Sequence, residues 1–356
     1  MQAVGPDAVG LASEGGAEGI AVQVLVLGAG GFIGSHLVER LLLDGHRVSA
    51  VDIETDKLEH IDGSLYDLHE CDICDPGVER LVRSSDVVVD LVAHANPSVY
   101  VTEPLEVFDL NFRKNLDVVD QCVRHGKRLI QFSTAEVYGK ASGAPCDEDA
   151  SDLVLGPAHR QRWIYAAAKQ LLERVIHAYG LRGQLDYTIV RPFNFVGSRL
   201  DYLVPAGARG GPRVFAHFMS ALLTSGPMYL VSGGAQHRSF THIDDAMDAF
   251  SVLLHQPAAR NQIFNVGNPA NNTSIRELAV LMQQLYTELT GELAGCQLVG
   301  ISGDDFYGDG YDDADRDIPS IEKLARLGWL PTRDLHTTLR DAMSHYLADQ
   351  RVRLIA

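Results

Sequence analysis

An apolar run from Ile20 to Leu27 meets Gly28-Ala29-Gly30-Gly31-Phe32-Ile33-Gly34, and Ser35 to Leu43 continues as a helix-forming stretch. That order limits the fold more than any other feature of the chain. An unbroken apolar run suits a strand covered on both faces, as in a parallel sheet. Glycines at 28, 31 and 34 allow a tight turn, close approach of backbone N–H groups to a pyrophosphate, and close packing of helix on strand. The start of the helix would offer its positive end to those phosphates. Gly28, Gly31, Phe32, Ile33 and Gly34 are therefore candidate cofactor-binding residues. A second strand, Arg47 to Val51, ends in Asp52, 18 residues after Gly34. A carboxylate there can accept both hydroxyls of an adenosine ribose and repels a 2′-phosphate, which points to NAD rather than NADP. Asp72 and Ile73, after a third strand, are placed to flank the adenine.

The pattern repeats. Val87 to Val92 reads as a strand leading into Ala93-His94-Ala95-Asn96-Pro97, and two helical stretches follow over 104–124, with Asn115 inside. Arg128 to Phe132 ends in Ser133-Thr134-Ala135-Glu136, and Asp186 to Arg191 ends in Arg191-Pro192-Phe193-Asn194. Strands alternating with helices predict an α/β fold, a Rossmann-type doubly wound parallel sheet with right-handed crossovers. Residues 20–195 are expected to form the NAD-binding domain. Residues 196–350 are expected to form a smaller, mixed substrate-binding region, some segments of which return to the first domain. Within it Ile263 to Asn268 reads as a late strand, and 274–290 and 333–350 read as covering helices. In such sheets the ligand lies off the carboxyl ends of the strands, where Thr134, Glu136 and Asn194 fall.

Composition narrows the partners. A net charge of −17 disfavours nucleic acid and anionic membranes, so an anionic substrate must be held by a few local Arg or Lys residues. Five cysteines, with Cys71 and Cys74 forming an isolated C-x-x-C, predict reduced thiols, no metal and a cytoplasmic setting. Residues 1–19 are Gly/Ala-rich without a basic-then-apolar pattern, and are expected to be a disordered tail rather than a signal peptide. No run approaches the ~18 apolar residues of a membrane span.

Tyr165 and Lys169 lie four apart in a helix-forming run and so share a face. An ammonium beside a phenol favours the phenolate, so the Tyr165 pKa is expected to fall toward working pH and the residue to act as a base.

With G-x-x-G-x-x-G at 28–34, Ser133-Thr134, the Tyr165/Lys169 pair and Arg191-Pro192-x-Asn194 in this order, the chain resembles the extended short-chain dehydrogenase/reductase family over residues 20–350. The resemblance implies that Thr134 and Tyr165 contact a sugar 4-hydroxyl, and that Tyr165 takes its proton as hydride leaves for NAD. Lys169 would bind the nicotinamide ribose and hold the Tyr165 pKa down. Arg213 and Arg238 suit a diphosphate, which guanidinium groups grip bidentately. The pattern G-G-x-x-x-R-x-F, here from Gly233 to Phe240, resembles that of the nucleotide-sugar enzymes, where this Arg and Asn194 would meet the diphosphate.

The most specific stretch runs from Phe306 to Pro319, with seven Asp between 304 and 317. Read as a calcium loop from Asp305, it puts Tyr307 third and Arg316 twelfth, where Glu is required, so calcium is rejected. The stretch resembles instead the subgroup holding the UDP-glucuronate decarboxylase of the lipid A aminoarabinose pathway and the plant UDP-apiose/UDP-xylose synthases. Ser133-Thr134-x-Glu136-Val137-Tyr138-Gly139, Arg162-Trp163-x-Tyr165 and Ile263-Phe264-Asn265-Val266-Gly267-Asn268-Pro269 share that resemblance. It implies NAD-dependent oxidation of UDP-glucuronate at carbon 4, then decarboxylation, giving UDP-4-keto-pentose or UDP-xylose. Glu136 would lie near the sugar carboxylate, Tyr100 would contact the sugar or its carboxylate, and Tyr311 the uridine diphosphate. Two positions depart from the subgroup. Ala135 replaces a Ser or Cys, which disfavours ring contraction to apiose. Asp317 occupies the slot of an Arg that protonates the enolate, leaving Arg316, one residue earlier, as the candidate proton donor. The family resemblance also implies a homodimer through the helices around 104–124 and Tyr165. A UDP-hexuronate 4-epimerase or a related dehydratase would use the same Tyr/Lys/NAD core.

Overall fold

The computed structural model describes residues 21–140, 145–205, 209, 213–313 and 318–348. The expected tail at 1–19 lies outside them. Seven parallel strands form the central sheet: β1 (Gln23–Leu27), β2 (Arg47–Asp52), β3 (Asp67–Glu70), β4 (Val87–Asp90), β5 (Arg128–Phe132), β6 (Tyr187–Pro192) and β7 (Gln262–Val266). Their spatial order is β7-β6-β5-β4-β1-β2-β3, so the direction of winding reverses beside β1. Ligands of open α/β sheets bind at such a reversal.

The unbroken apolar runs have a simple cause. Alternate residues of each strand enter two different cores. Val24 and Val26 join Val48, Val89 and Phe132 on one face, and Leu25 and Leu27 join Val51, Val88 and Leu129 on the other. Helices α1 (Phe32–Leu43), α2 (Pro76–Ser84), α3 (Asn115–His125), α4 (Ile164–Leu181) and α5 (Ile243–His255) cover the sheet. Helices α1 and α5 lie on the first face and α2, α3 and α4 on the second. In register, Leu27 stands beside both Val51 and Asp90, Asp90 beside Gln131, and Arg191 beside Asn265. The carboxyl ends of the strands are thereby brought to one edge.

Two details differ from the sequence reading. The fourth strand stops at Asp90 rather than Val92, because the Asp90 carboxylate accepts the Val92 N–H at 3.0 Å and turns the chain out of the sheet. The stretch 104–124 is a helix Pro104–Phe108, a wide π-turn Asp109–Lys114, and then α3. The side chain of Asn111, inside that turn, clamps both the N–H (2.8 Å) and the carbonyl (3.1 Å) of His94. Such widened turns recur at functional sites.

The remaining elements build a smaller region over the same edge. Pro227–Val231 pairs in parallel with Gln297–Ile301, and His237–Ser239 pairs antiparallel with Asn272–Ser274. Ser274 and Glu277 form a reciprocal cap that starts the helix Ile275–Thr290. The last described helix is Leu335–Ala348. Among the described residues no helix is long and apolar enough to cross a membrane, and no group of three or more His, Cys, Asp or Glu could hold a metal ion.

Candidate active site

The glycine loop after β1 is sterically enforced, though not wholly at the positions the spacing suggested. Gly28 has φ +81°, and a Cβ on Gly34 would stand 2.1 Å from the Gly28 carbonyl oxygen. Gly31 would meet only that oxygen, at 3.3 Å. The tightest position is Gly30, where a Cβ would lie 1.7 Å from the Glu54 carbonyl oxygen. Asp52 locks the same corner: one carboxylate oxygen accepts the Gly30 N–H at 2.8 Å and the other the Ile53 N–H at 2.7 Å. Helix α1 starts without a side-chain cap, so its first N–H groups are left for a ligand. A glycine floor under an uncapped helix start fits the pyrophosphate of NAD. Gly30→Ala is expected to destabilise the protein by about 1–3 kcal/mol through overpacking and to weaken NAD binding. Gly63→Ala, where a Cβ meets nothing within 4 Å, is the control. Thermal melts and calorimetric titration with NAD would check both.

At the adenine end the Ile73 side chain packs in the core with Leu27 and Val51. Asp72 accepts the Cys74 N–H at 2.9 Å and the Lys114 ammonium at 3.0 Å, and these two contacts hold its carboxyl below the usual range. Asp52, Asp72 and Ile73 are not among the residues lining the central cavity.

The other candidates converge. Thr134, Glu136, Tyr165, Lys169, Tyr100, Asn194, Arg213, Arg238 and Tyr311 all line one cavity of about 410 Å³, together with Gly28, Gly31, Phe32, Ile33 and Gly34. Tyr165 stacks face to face on Tyr100, ring centres 4.6 Å apart and 8° from parallel. The Thr134 hydroxyl accepts the Glu136 N–H at 3.2 Å.

The expected fall in the Tyr165 pKa is not what the fold produces. Burial, reinforced by the Glu136 carboxylate, pushes the phenol well above its usual value, against the opposing pull of the Thr134 hydroxyl, Arg213 and Arg162. The Lys169 ammonium is buried as well, and donates to the Phe132 carbonyl at 3.1 Å. Unliganded, Tyr165 holds its proton through the neutral range.

An ionic chain crosses one end of the cavity. The Arg162 guanidinium donates to Glu136 at 2.5 Å and lies 3.6 Å from Asp313. Arg238 donates to the same Asp313 oxygen at 2.6 Å, and the Tyr311 hydroxyl donates to the other at 3.1 Å. Tyr311 also stacks on Tyr307, ring centres 4.3 Å apart. Arg213 pairs with Asp201 at 3.0 Å and lies over the Phe32 ring. The two candidate diphosphate cations are thus each held by an acid. Asn194 sits at φ +38° and donates to the Ser239 carbonyl at 3.3 Å. Gln236 donates its amide N–H to the Val231 carbonyl at 3.1 Å, while its amide oxygen is buried with no partner among the described residues. Sequence reasoning gave no role to Arg162, Asp313 or Gln236. The spacing of Arg162 three before Tyr165, on the turn that opens α4, was the available signal. Arg316 and Asp317 lie outside the described residues.

A model of the NAD dependent epimerase/dehydratase family matches residues 24–267. UDP-D-apiose/UDP-D-xylose synthase 1 of Arabidopsis thaliana is 40% identical over 354 residues, covering 91% of this chain and 91% of that protein. Among solved structures, the PbgP3 protein of Burkholderia pseudomallei superposes with a TM-score of 0.83 at 36% identity, over 94% of this chain and 99% of that one. The UDP-glucuronic acid 4-epimerase of Bacillus cereus, solved with UDP-glucuronic acid and NAD, shares the fold at 22% identity, with a TM-score of 0.76 over 91% of this chain and 98% of that one.

Proposed function

The chain belongs to the NAD-dependent epimerase/dehydratase family and uses NAD, and from that premise we propose that it oxidises UDP-glucuronate at carbon 4 and decarboxylates the ketone. The observation that carries this reading is the meeting of Thr134, Tyr165 and the Glu136–Arg162 pair in one cavity. Gly28, Gly31 and Gly34, with Asp52 and Lys169, would hold NAD, which when bound supplies the hydride acceptor. Tyr165 removes the proton from the 4-hydroxyl, with Thr134 fixing that oxygen. A ketone at carbon 4 lies β to the sugar carboxylate. When carbon dioxide leaves, the electron pair of the broken bond passes to the 4-oxygen as an enolate. The Thr134 hydroxyl and the protonated Tyr165 phenol can donate to that oxygen, a small oxyanion site. Glu136 beside the carboxylate favours loss of its negative charge as neutral carbon dioxide, and Arg162 orients both groups. Protonation at carbon 5 gives UDP-4-keto-pentose, and return of the hydride gives UDP-xylose. Arg213, Arg238, Asn194 and Tyr311 would hold the diphosphate and uridine.

A proton-NMR time course with UDP-glucuronate and NAD, run with carbon dioxide detection, tests the proposal. Loss of the carboxylate with a pentose product supports it. A retained carboxylate with inverted carbon 4 would replace it with epimerisation. Glu136→Gln is expected to slow carbon dioxide release about a hundredfold while NADH still forms, so that the 4-keto-hexuronate accumulates. Equal slowing of NADH formation would remove Glu136 from the decarboxylation step.

A further inference from the structure

We propose that Asp90 is the counter-charge of Lys169, a buried positioning carboxylate that keeps the lysine an ammonium and so keeps the Tyr165 site competent. The consequence for catalysis rests on the oxidation reading above; the pairing itself does not.

Asp90 ends β4 in the middle of the sheet, between Leu27 of β1 and Gln131 of β5, and is 0% exposed. One of its oxygens accepts the Val92 N–H, and the other is buried with no hydrogen-bond partner among the described residues. Lys169 comes from α4, is 1% exposed, and donates to the carbonyl of Phe132, the residue after Gln131, which stands beside Asp90 in register. Among the described residues that neutral carbonyl is its one hydrogen-bond partner, and no direct ion pair joins it to Asp90. A buried ammonium without an opposite charge is strongly disfavoured and gives up its proton, so Lys169 stays charged where a carboxylate balances it. Two carboxylates act on it, Asp90 and Glu173. Glu173 is already committed: it receives both Arg191 nitrogens, at 3.0 and 2.6 Å, and the Ser133 hydroxyl at 2.5 Å. Its charge is cancelled within its own pair. Asp90 has no such partner.

The surroundings leave few other titrating groups. Gln131 of β5 and Asn115 of α3 are neutral amides bonded to each other at 3.4 Å, and the Gln131 amide together with the Val92 N–H also favours the ionised Asp90. The Cys122 thiol of α3 is pushed up by burial and by Asp90, and stays neutral. Tyr165, one helical turn from Lys169, holds its proton. Burial raises Asp90 to about 6, with Lys169 the first group opposing the rise; Lys169 is in turn lowered by burial, with Asp90 the first group opposing the fall. As pH falls through about 6, Asp90 takes a proton and Lys169 loses its counter-charge. The acid limb of activity would then report Asp90, a residue that touches neither substrate nor cofactor.

The test is the pH profile of kcat/KM for UDP-glucuronate in the NAD-loaded enzyme, wild type against Asp90→Asn. The variant should lose the acid limb near pH 6, and its alkaline limb should move down by about one pH unit, with NAD affinity at neutral pH within about threefold of wild type. Limbs that stay in place would overturn the proposal. A second measurement does not depend on turnover or on the folding of Asp90→Asn. In protein labelled with carbon-13 at the Asp carboxyls, the Asp90 titration should shift up by about one unit in Lys169→Met. An unshifted Asp90 would refute the pairing, whereas absent turnover with the shift intact would refute only the assigned reaction.

Discussion

Replacing Tyr165 by Phe is expected to slow NADH formation from UDP-glucuronate about a thousandfold, within the range that a positioned acid–base group supplies, and to leave binding and folding intact. The ring is what holds the residue in place: it lies flat on Tyr100 at 4.6 Å, and that stack survives loss of the hydroxyl. The hydroxyl is what the chemistry lacks. In the unliganded protein the phenol keeps its proton because burial and Glu136 outweigh Thr134, Arg213 and Arg162. Deprotonation therefore has to be coupled to arrival of the ligands, and Phe has no proton to exchange. Stopped-flow absorbance of NADH on mixing with UDP-glucuronate, beside calorimetric titrations of NAD and UDP, would separate the two effects. A variant that reduces NAD within tenfold of the wild-type rate would exclude Tyr165 as the base.

Arg191→Leu is expected to cost about 3–5 kcal/mol of stability, the usual result of stranding one member of a buried ion pair. Arg191 and Glu173 are both buried, and their contacts at 2.6 and 3.0 Å are bidentate. The same guanidinium donates to the Tyr138 hydroxyl at 2.8 Å, and that hydroxyl donates to the Asn265 side chain at 2.8 Å. Asn265 in turn donates to the Cys146 and Ser320 carbonyls at 3.0 and 3.1 Å, and its N–H meets Glu148 at 2.9 Å. This network ties the ends of β5, β6 and β7 to α4, directly behind Thr134 and Tyr165. Removing the cation leaves Glu173 charged and buried without its bidentate partner, hydrogen-bonded among the described residues to the Ser133 hydroxyl. The double variant Arg191→Leu/Glu173→Leu should recover most of the loss, since no charge is then stranded. Urea unfolding of the three proteins measures this; a single variant within about 1 kcal/mol of wild type would mean that water or rearrangement relieves Glu173.

What the sequence determined by itself was whatever depends on neighbours along the chain. The strand–glycine–helix order at 23–43, the alternation that makes a parallel sheet, Asp52 at the end of β2, and Tyr165 with Lys169 on one helical face all follow from local spacing. The gathering of Thr134, Tyr100, Asn194, Arg213, Arg238 and Tyr311 into the Tyr165 cavity came from motif resemblance, and the fold brings them together. Only the tertiary structure decided the rest. Gly30 is required by the Glu54 carbonyl, a clash set by how β2 leaves the sheet. Ile73 belongs to the core because α2 and β1 close over it. Arg162 is joined to both Glu136 and Asp313 across segments that spacing cannot relate. The Tyr165 proton is the sharpest case. A helix turn brings the lysine near the phenol, but the loss of water around both, and the carboxylates that strands and loops bring within reach, decide which groups are charged. Desolvation and through-space charge are properties of the assembled interior, and no local pattern of residues encodes them.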